Sequence, residues 1–515
     1  MGGPIPHGCL SPPQPTPEKE AQPIHREPSA PTTKPSRDMS PPAERSGRPD
    51  APLHLVFVPF LARSHFAPLA AKAADACRQS GGVTTAAIVT TPHFASLAPP
   101  GVPVHVAGFR CPGGHEDFSH LQLQGVDDEA SSAPAFFSAA EAALAPALEA
   151  ALRDHDGPAA VVSDAVLYWA PRVARECGVP HVTFHTIGAF AAAAMVAVHL
   201  HRPEPFPDPF DVPGGFPHPV KLRRAQVNEE ALAHFPLFRA AEAESCAVVF
   251  NSFSALEANF AAYYQSQLAG RPKKVFLVGP VLAAAAAASP RAVNGGAERD
   301  PILQWLDGRP AGSVVYVCFG STCALGESQL RELATGLRAS RRPFLWVIPA
   351  PGGEGGAARE ERASSHGMVV AGRWAPQAEI LAHRAVGGFV THCGWNSVLE
   401  AVRAGVPLAT WPLRAEQFVN EAFLVEVLRV GVRVREEADQ VEALVPAGAV
   451  TRAVGRLMGN GQGEAEADAA RRARARELGA AARAAVAEGG SSCRHWTGLV
   501  EELKALHGRD SDPQM

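Results

Sequence analysis

Short apolar runs, each followed by a segment of helical pattern, constrain the fold of this 515-residue chain more than any other feature. One series begins with LHLVFVPF at residue 53 and ends with KKVFLVGPV, and a second runs from SVVYVCFG to VRVR. Runs that are continuous rather than alternating are typical of strands buried on both faces of a parallel sheet. Two such series predict an α/β protein with two Rossmann-like domains.

Changes in composition place the domain boundaries. Residues 51–282 are expected to form the first Rossmann-like domain and residues 301–485 the second. An alanine run with Ser-Pro and Asn-Gly-Gly turns marks residues 283–300 as the linker. Because ligands bind beyond the carboxyl ends of the strands in such sheets, two sheets facing across a cleft would hold two substrates, as group transfer requires.

Composition also excludes several classes of partner and location. A formal net charge of -5 leaves no basic excess for nucleic acid. The nine cysteines are odd in number and scattered, which favours reduced thiols in a cytoplasmic protein. The longest strongly apolar run, near residues 189–200, is far shorter than the ~20 residues that cross a bilayer, so no integral membrane association is expected. Residues 1–50, rich in Pro and Ser, are predicted to be a disordered extension, most of which a start at Met39 would remove.

The most informative block is residues 374–417. Within it a predicted strand leads through a tight His-Cys-Gly turn into a helix that opens at Trp395. Free backbone N–H groups and the helix dipole at such an opening favour an anion. Three nearby side chains can add hydrogen-bond donors, enough for a diphosphate without a metal: His392, Asn396 and Ser397.

Other side chains of this block suit the remaining parts of a nucleotide sugar. Glu400 lies one turn deeper on the same helix face, where its carboxylate can accept from the two hydroxyls of a ribose. Trp374 offers a flat face to a base, and Gln377 offers a donor and an acceptor to its edge. Glu416 and Gln417 follow the next predicted strand at its carboxyl end, in reach of sugar hydroxyls. Taken singly, each residue has a structural alternative in core packing or helix capping.

As a constellation, the block resembles the signature box of plant secondary-product UDP-glycosyltransferases. The resemblance implies that Trp374 stacks on uracil, Gln377 contacts its edge and Glu400 takes the ribose hydroxyls. It also implies that the helix opening binds the diphosphate and that Glu416 and Gln417 bind the sugar. The donor-binding residues that it implies are Thr186, Ser321, Trp374, Ala375, Gln377, His392, Gly394, Trp395, Asn396, Ser397, Glu400, Glu416 and Gln417.

The resemblance extends over about residues 53–505 and implies the GT-B architecture. Residues 486–515 would then be a C-terminal helix that crosses back to the first domain, with a polar tail. In that family Trp395 and Gln417 accompany glucose as the donor sugar. Arg414 stands where an aromatic or apolar residue is more usual, so UDP-galactose, UDP-xylose and UDP-glucuronate stay open as alternative donors.

The first domain supplies a candidate general base. Transfer to an alcohol requires removal of its proton, and histidine suits this role near neutral pH. His65 follows the first strand in a loop before a helix, with helix capping as its alternative, and the resemblance places the catalytic base there. Its neighbours Arg63 and Ser64 replace the usual Gln and Gly, and Ser64 would narrow the acceptor entrance.

Two further candidate site residues lie at the ends of predicted strands. Asp164 ends the strand AVVSD and matches the family's acid that orients the histidine and stabilises its imidazolium; capping of the next helix is the alternative. Thr186 matches a position that touches the donor sugar in some relatives.

A base that acts on the acceptor, with one displacement at the anomeric carbon, predicts inversion to a β-glycoside. No enzyme nucleophile, cofactor or metal is then expected, and the UDP-sugar is a co-substrate. We therefore predict a monomeric hexosyltransferase that moves glucose to a hydroxyl of a small lipophilic acceptor. A nucleotide-sugar-binding protein without turnover and a nucleotide-sugar epimerase are the alternatives. The variable acceptor loops hold phenylalanines that suit an aromatic acceptor or simple packing: Phe118, Phe136, Phe137, Phe206, Phe210 and Phe216.

Overall fold

The computed structural model describes thirteen segments of the chain. These are residues 51–79, 82–110, 114–119, 133–202, 207–227, 229–268, 273–282, 300–320, 325–348, 366–372, 374–435, 443–459 and 465–509. The extension of residues 1–50, residues 283–299 of the linker, Ser321 and the polar tail after residue 509 therefore lie outside the described residues.

The first series of apolar runs forms a seven-stranded parallel sheet in the order β3-β2-β1-β4-β5-β8-β9. Its strands are β1 (Leu53–Val58), β2 (Thr84–Thr90), β3 (Val104–Val106), β4 (Ala159–Asp164), β5 (His181–His185), β8 (Ala247–Phe250) and β9 (Lys274–Leu277). Its helices are α1 (Arg63–Gln79), α2 (Pro92–Ala95), α3 (Ala133–Arg153), α4 (Ala170–Glu176), α5 (Ala189–His201), α6 (Glu229–Glu244) and α7 (Ser254–Ser266). Strands β4 and β8 are buried at every residue because helices cover both faces of the sheet.

The second series forms a six-stranded parallel sheet in the order β12-β11-β10-β13-β14-β15. Its strands are β10 (Val314–Cys318), β11 (Phe344–Ile348), β12 (Gly367–Ala371), β13 (Val386–Thr391), β14 (Leu408–Thr410) and β15 (Gly431–Arg433). Its helices are α8 (Pro301–Asp307), α9 (Glu327–Ala339), α10 (Gln377–Ala382), α11 (Trp395–Ala404), α12 (Gln417–Ala422), α13 (Ala447–Leu457) and α14 (Ala465–Val486). The prediction of two parallel sheets in two Rossmann-like domains is thus confirmed.

A short antiparallel hairpin lies outside both sheets. It pairs β6 (Phe210–Asp211) with β7 (Lys221–Leu222), and β7 contacts α12 of the second domain. The continuous apolar runs gave no indication of it, because each of its strands has only two residues.

The last helix, α15 (Ser491–Arg509), packs on the first domain. Trp496, Leu499 and Leu503 join the hydrophobic core of the first sheet. The ring Nδ1 of His495 accepts from the backbone N–H of Leu277 in β9 at 2.8 Å. The chain therefore returns to its first domain after completing the second.

One helix in the described part of the chain, α3, is long and apolar enough to cross a membrane by length and composition alone. Phe136, Leu144 and Leu148 on one face of this helix are fully buried in the core of the first sheet. This packing accounts for the apolar residues on that face.

Candidate functional site

A cavity of about 740 Å³ lies between the two domains, at the carboxyl ends of both sheets. Strand order reverses between β1 and β4 in the first sheet and between β10 and β13 in the second, and such switch points are where open α/β sheets bind ligands. Every predicted site residue in the described ranges lines this cavity except Asp164, which lies behind His65.

The sequence analysis placed His65 in a loop before a helix. In the structure α1 already begins at Arg63, so His65 lies in the first turn of this helix. Its Nδ1 lies 2.9 Å from Oδ2 of Asp164 and 3.0 Å from the hydroxyl of Thr186. The three residues meet because β1, β4 and β5 are neighbours in the sheet and end at the same edge. With Nδ1 occupied, Nε2 is the ring nitrogen left for a substrate proton.

The surroundings of His65 set its basicity. Burial lowers its pKa, but the charge and hydrogen bond of Asp164, together with the charge of Glu416, raise the pKa above the ordinary value for histidine. A raised pKa makes the neutral ring a stronger base once it is deprotonated.

The carboxylate of Asp164 is held in one orientation by burial and by contacts to both of its oxygens. Its side chain is 1% exposed, and its other oxygen, Oδ1, accepts from the backbone N–H of Val166 at 3.2 Å. The next helix, α4, begins only at Ala170, so Asp164 does not cap it. Both carboxylate oxygens therefore serve to fix one orientation beside His65.

Thr186 follows β5 and lies beside His65. Its hydroxyl is 3.0 Å from Nδ1 of His65, a contact that the sequence did not predict. Thr186 also lines the cavity.

The donor half is built on the turn from β13 to α11. Gly394 is the residue before the helix, and Cys393 in the turn has φ of 65°. A Cβ on Gly394 would lie 2.4 Å from Nε2 of His392, and one on Gly320 would lie 2.7 Å from its Cε1. Glycine at both positions therefore leaves the space that the His392 ring fills.

His392 is buried and electrically neutral at physiological pH. Burial, followed by the charge of Arg414, lowers its pKa to about 4. Its Nδ1 is buried without a hydrogen-bond partner among the described residues. A neutral imidazole can donate one hydrogen bond to an anion but adds no charge.

Asn396 and Ser397 face the cavity in the first turn of α11. The amide of Asn396 donates to the backbone carbonyl of Ser64 at 2.7 Å, a contact that crosses from the second domain to the first. The hydroxyl of Ser397 accepts from Nε2 of Gln377 at 3.0 Å.

The side chain of Gln377 lines the cavity and forms hydrogen bonds with Glu400 and Tyr316. Its Nε2 donates to Glu400 at 2.8 Å, and its Oε1 accepts from the hydroxyl of Tyr316 at 3.0 Å. It therefore lies beside the carboxylate that the sequence assigns to a ribose. Sequence reasoning missed Tyr316, since a tyrosine within an apolar strand gives no sign of this role.

Glu400 contributes a carboxylate to the cavity, whereas Trp374 contributes an exposed aromatic ring. Burial raises the pKa of Glu400 to about 7, although the bond from Gln377 opposes this. Trp374 is 59% exposed, which is unusual for so large an apolar side chain and leaves its face open. The next residue, Ala375, is buried.

Glu416 and Gln417 stand where β14 leads into α12. Burial raises the pKa of Glu416, whereas its own backbone and the charge of His65 lower it. The carboxylate thus lies close enough to His65 for the two charges to interact across the cavity. Oε1 of Gln417 accepts from the backbone N–H groups of Leu413 and Arg414 at 2.9 and 3.1 Å, so this side chain also shapes its own loop.

The cavity wall near His65 is aromatic. Phe60, Phe118 and Phe137 line it, with the Phe60 ring 5.4 Å from the His65 ring. Three of the other phenylalanines named from the sequence do not line the cavity, since Phe136 and Phe210 are buried in the core and Phe216 packs on Phe260. Phe206 lies outside the described residues.

A buried polar cluster also lines the cavity and escaped the sequence analysis. Glu242 of α6 accepts from His185 at 2.8 Å, from Tyr264 at 2.9 Å and from Arg239 at 3.0 Å. Nothing in the sequence distinguishes Glu242 from Glu244, an exposed glutamate of the same helix. Within the described ranges, no group of three or more His, Cys, Asp or Glu side chains is arranged to hold a metal ion.

Comparison with known proteins identifies the family of the chain. A family model described as UDP-glucoronosyl and UDP-glucosyl transferase matches residues 302–445. UDP-glycosyltransferases 73C7 and 73C5 of Arabidopsis thaliana are 34% and 35% identical to the chain, and each match covers 88% of this chain and 97% of the relative.

Solved structures of similar proteins share the fold. UGT73P12 of Glycyrrhiza uralensis, complexed with glycyrrhetinic acid 3-O-monoglucuronide, is 31% identical with a TM-score of 0.73, over 89% of this chain and 97% of that one. UGT2 of Phytolacca americana, complexed with UDP-2fluoro-glucose and pterostilbene, is 26% identical with a TM-score of 0.69, over 88% of this chain and 100% of that one. The chain adopts the GT-B fold and belongs to the UDP-glycosyltransferase family.

Proposed function

We propose that this enzyme transfers glucose from UDP-glucose, with inversion, to a hydroxyl of a small lipophilic acceptor. The observation that carries the proposal is the pairing of His65 with Asp164 at 2.9 Å in the cavity that also holds the donor residues. A nucleotide-sugar-binding protein without turnover has no need of a histidine oriented by a buried carboxylate.

In the proposed reaction, Nε2 of His65 takes the proton of the acceptor hydroxyl as its oxygen attacks the anomeric carbon. The bond from that carbon to the diphosphate oxygen breaks, and UDP leaves. Asp164 stabilises the imidazolium that forms, and the hydroxyl of Thr186 helps to fix the ring. One displacement turns an α-linked donor into a β-glycoside.

The donor is held by the second domain. The opening of α11, with His392, Asn396 and Ser397, receives the diphosphate, because free N–H groups and the helix dipole favour an anion there. Glu400 beside Gln377 receives the ribose, Trp374 the uracil, and Glu416 and Gln417 the sugar.

The aromatic wall of Phe60, Phe118 and Phe137 supports an apolar, ring-containing acceptor such as a phenol, flavonoid, hormone or terpenoid alcohol. We place the enzyme in the cytoplasm, because its free cysteines suit a reducing compartment. We further propose that it acts as a monomer.

The test is incubation of the purified enzyme with UDP-glucose and a panel of such acceptors, with product analysis by NMR. A β-glucoside and stoichiometric UDP support the proposal. Binding without release of UDP would favour the non-catalytic alternative, and conversion of the donor without an acceptor would favour an epimerase. Parallel assays with UDP-galactose, UDP-xylose and UDP-glucuronate identify the donor sugar.

Chelation should leave turnover unchanged. EDTA should not lower the rate with UDP-glucose by more than experimental error, because helix N–H groups and side-chain donors are proposed to hold the diphosphate. The measurement is the initial rate with and without EDTA, with added Mg²⁺ as the control. A loss of activity that Mg²⁺ or Mn²⁺ restores would contradict the metal-free site.

Affinity for UDP-glucose should rise with pH through neutrality. Glu400 has a pKa of about 7, and ribose hydroxyls donate to its ionised form, so binding favours deprotonation. We expect the Kd measured by calorimetry to be up to about tenfold weaker at pH 6 than at pH 8. Glu400→Gln should bind more weakly and lose most of this slope. An unchanged slope in that variant would assign the pH dependence to another group.

A further inference from the structure

Trp395, the first residue of α11, is buried against the other domain. Its side chain is 3% exposed, and its indole Nε1–H donates to the backbone carbonyl of Asn251 at 2.8 Å. Asn251 follows β8 of the first sheet and is itself fixed, since its side chain bonds to both the N–H and the carbonyl of Val281 at 2.7 and 3.0 Å. The indole therefore bonds to a rigid point of the first domain.

The indole packs against Gly188, a position where only glycine leaves enough space for it. A Cβ on Gly188 would lie 2.8 Å from Cη2 and 2.9 Å from Cζ2 of Trp395, closer than carbon atoms approach in proteins. The same Cβ would lie 2.9 Å from Oε1 of Glu257. Gly188 has φ of -71°, so its requirement is for space and not for backbone conformation.

Glu257 fixes the backbone that follows Gly188. Its buried carboxylate accepts from the backbone N–H groups of Ala189 and Phe190 at 3.1 and 2.7 Å, in the first turn of α5. The Phe190 ring stacks on Phe423 of the second domain at 4.6 Å, and Phe423 also lies against Trp395. The contact between the domains is thus tightly packed around the indole.

The next residue of α11 makes a second bond across the cleft. Asn396 donates to the carbonyl of Ser64 at 2.7 Å, and Ser64 precedes His65 in the chain. The helix turn that faces the diphosphate is therefore bonded to the first domain at two points, one of them adjacent to the general base.

We infer that Trp395 is a positioning residue. Its indole, which is hydrogen-bonded to Asn251 and packed on Gly188, sets the distance between the donor-binding helix and His65. The inference rests on the proposed function. Transfer requires the anomeric carbon to lie in line between the acceptor oxygen and the leaving diphosphate, and a displacement of about 1 Å can cost about 10²-fold in rate. Binding of UDP requires only the second domain and is much less sensitive to that distance.

The test is a double-mutant cycle of Gly188→Ala and Trp395→Phe. Phenylalanine lacks the second ring of the indole, to which the crowded Cζ2 and Cη2 belong, and the N–H that bonds Asn251. Each single variant should lower kcat with UDP-glucose by about 10- to 100-fold, while the Kd for UDP changes less than about threefold. In the Trp395→Phe background, Gly188→Ala should cost clearly less than in the parent enzyme, because the clash with the indole is gone and only the close contact with Oε1 of Glu257 remains.

Gly108→Ala is the matched control, since a Cβ at this exposed position of the first domain meets no atom within 4 Å. It should leave kcat unchanged. Thermal unfolding of every variant shows whether it is folded; if Gly188→Ala is not, the split between kcat and UDP affinity in Trp395→Phe decides alone.

Three results would overturn the positioning role: equal costs of Gly188→Ala in both backgrounds, a loss of UDP affinity in parallel with kcat, or a Trp395→Phe enzyme with the parent rate. A parent enzyme that binds UDP but transfers no sugar would instead overturn the proposed function, and the positioning role with it.

Discussion

Replacing His65 with alanine should lower the rate of glucose transfer by about 10²- to 10⁴-fold, the range typical of a lost general base. UDP affinity should stay near that of the parent enzyme, because the residues proposed to bind UDP belong to the second domain. The measurements are kcat with a saturating aliphatic alcohol and the Kd for UDP by calorimetry.

The acceptor determines how large this effect is. A phenol with a pKa near 10 is partly ionised in the active range and needs a base less than an aliphatic alcohol does. The two acceptor classes should therefore differ in their response to His65→Ala. Near-parent transfer to an aliphatic alcohol by folded His65→Ala protein would show that another group removes the proton.

Asp164→Asn should be the second largest effect, at about 10²-fold or more, since it removes the charge that stabilises the imidazolium while keeping much of the shape. It should also move the pH profile. Asp164 raises the pKa of His65, so the rise of kcat/KM with pH should occur at lower pH in the variant. The expected signature is a lower plateau reached at a lower pH.

Thr186→Val is the matched control for Asp164→Asn, because it removes the other hydrogen bond to Nδ1 of His65 without removing a charge. It should reduce the rate less and leave the pH profile in place. If Asp164→Asn also left the profile in place, Asp164 would act on the fold of the strand end and not on the histidine.

The features that the sequence predicted are those with a local cause. Strands such as β8 and β10 are apolar at nearly every position because both faces are covered, so their runs are visible without any knowledge of partners. The opening of α11 is visible because a Gly at its start and the strand before it are contiguous in the chain. His65 and Asp164 were proposed because one comes after the first strand and the other ends β4, and because the family resemblance implies a base and its acid at these positions.

The features that the sequence missed depend on which distant side chains meet. Thr186 lies 121 positions from His65, and Gln377 lies 61 positions from Tyr316, so no spacing rule relates them. Glu242 is buried because His185, Tyr264 and Arg239 surround it, and three separate elements bring these together. Trp395 belongs to a box read as donor-binding, yet its indole bonds to the other domain.

The return of α15 to the first sheet limits how the domains can move. The chain joins them once between residues 282 and 300 and again between α14 and α15, which is bonded to β9 through His495. Separation of the two domains is limited by this second connection, because moving α15 off the first sheet would expose Trp496, Leu499 and Leu503 to water.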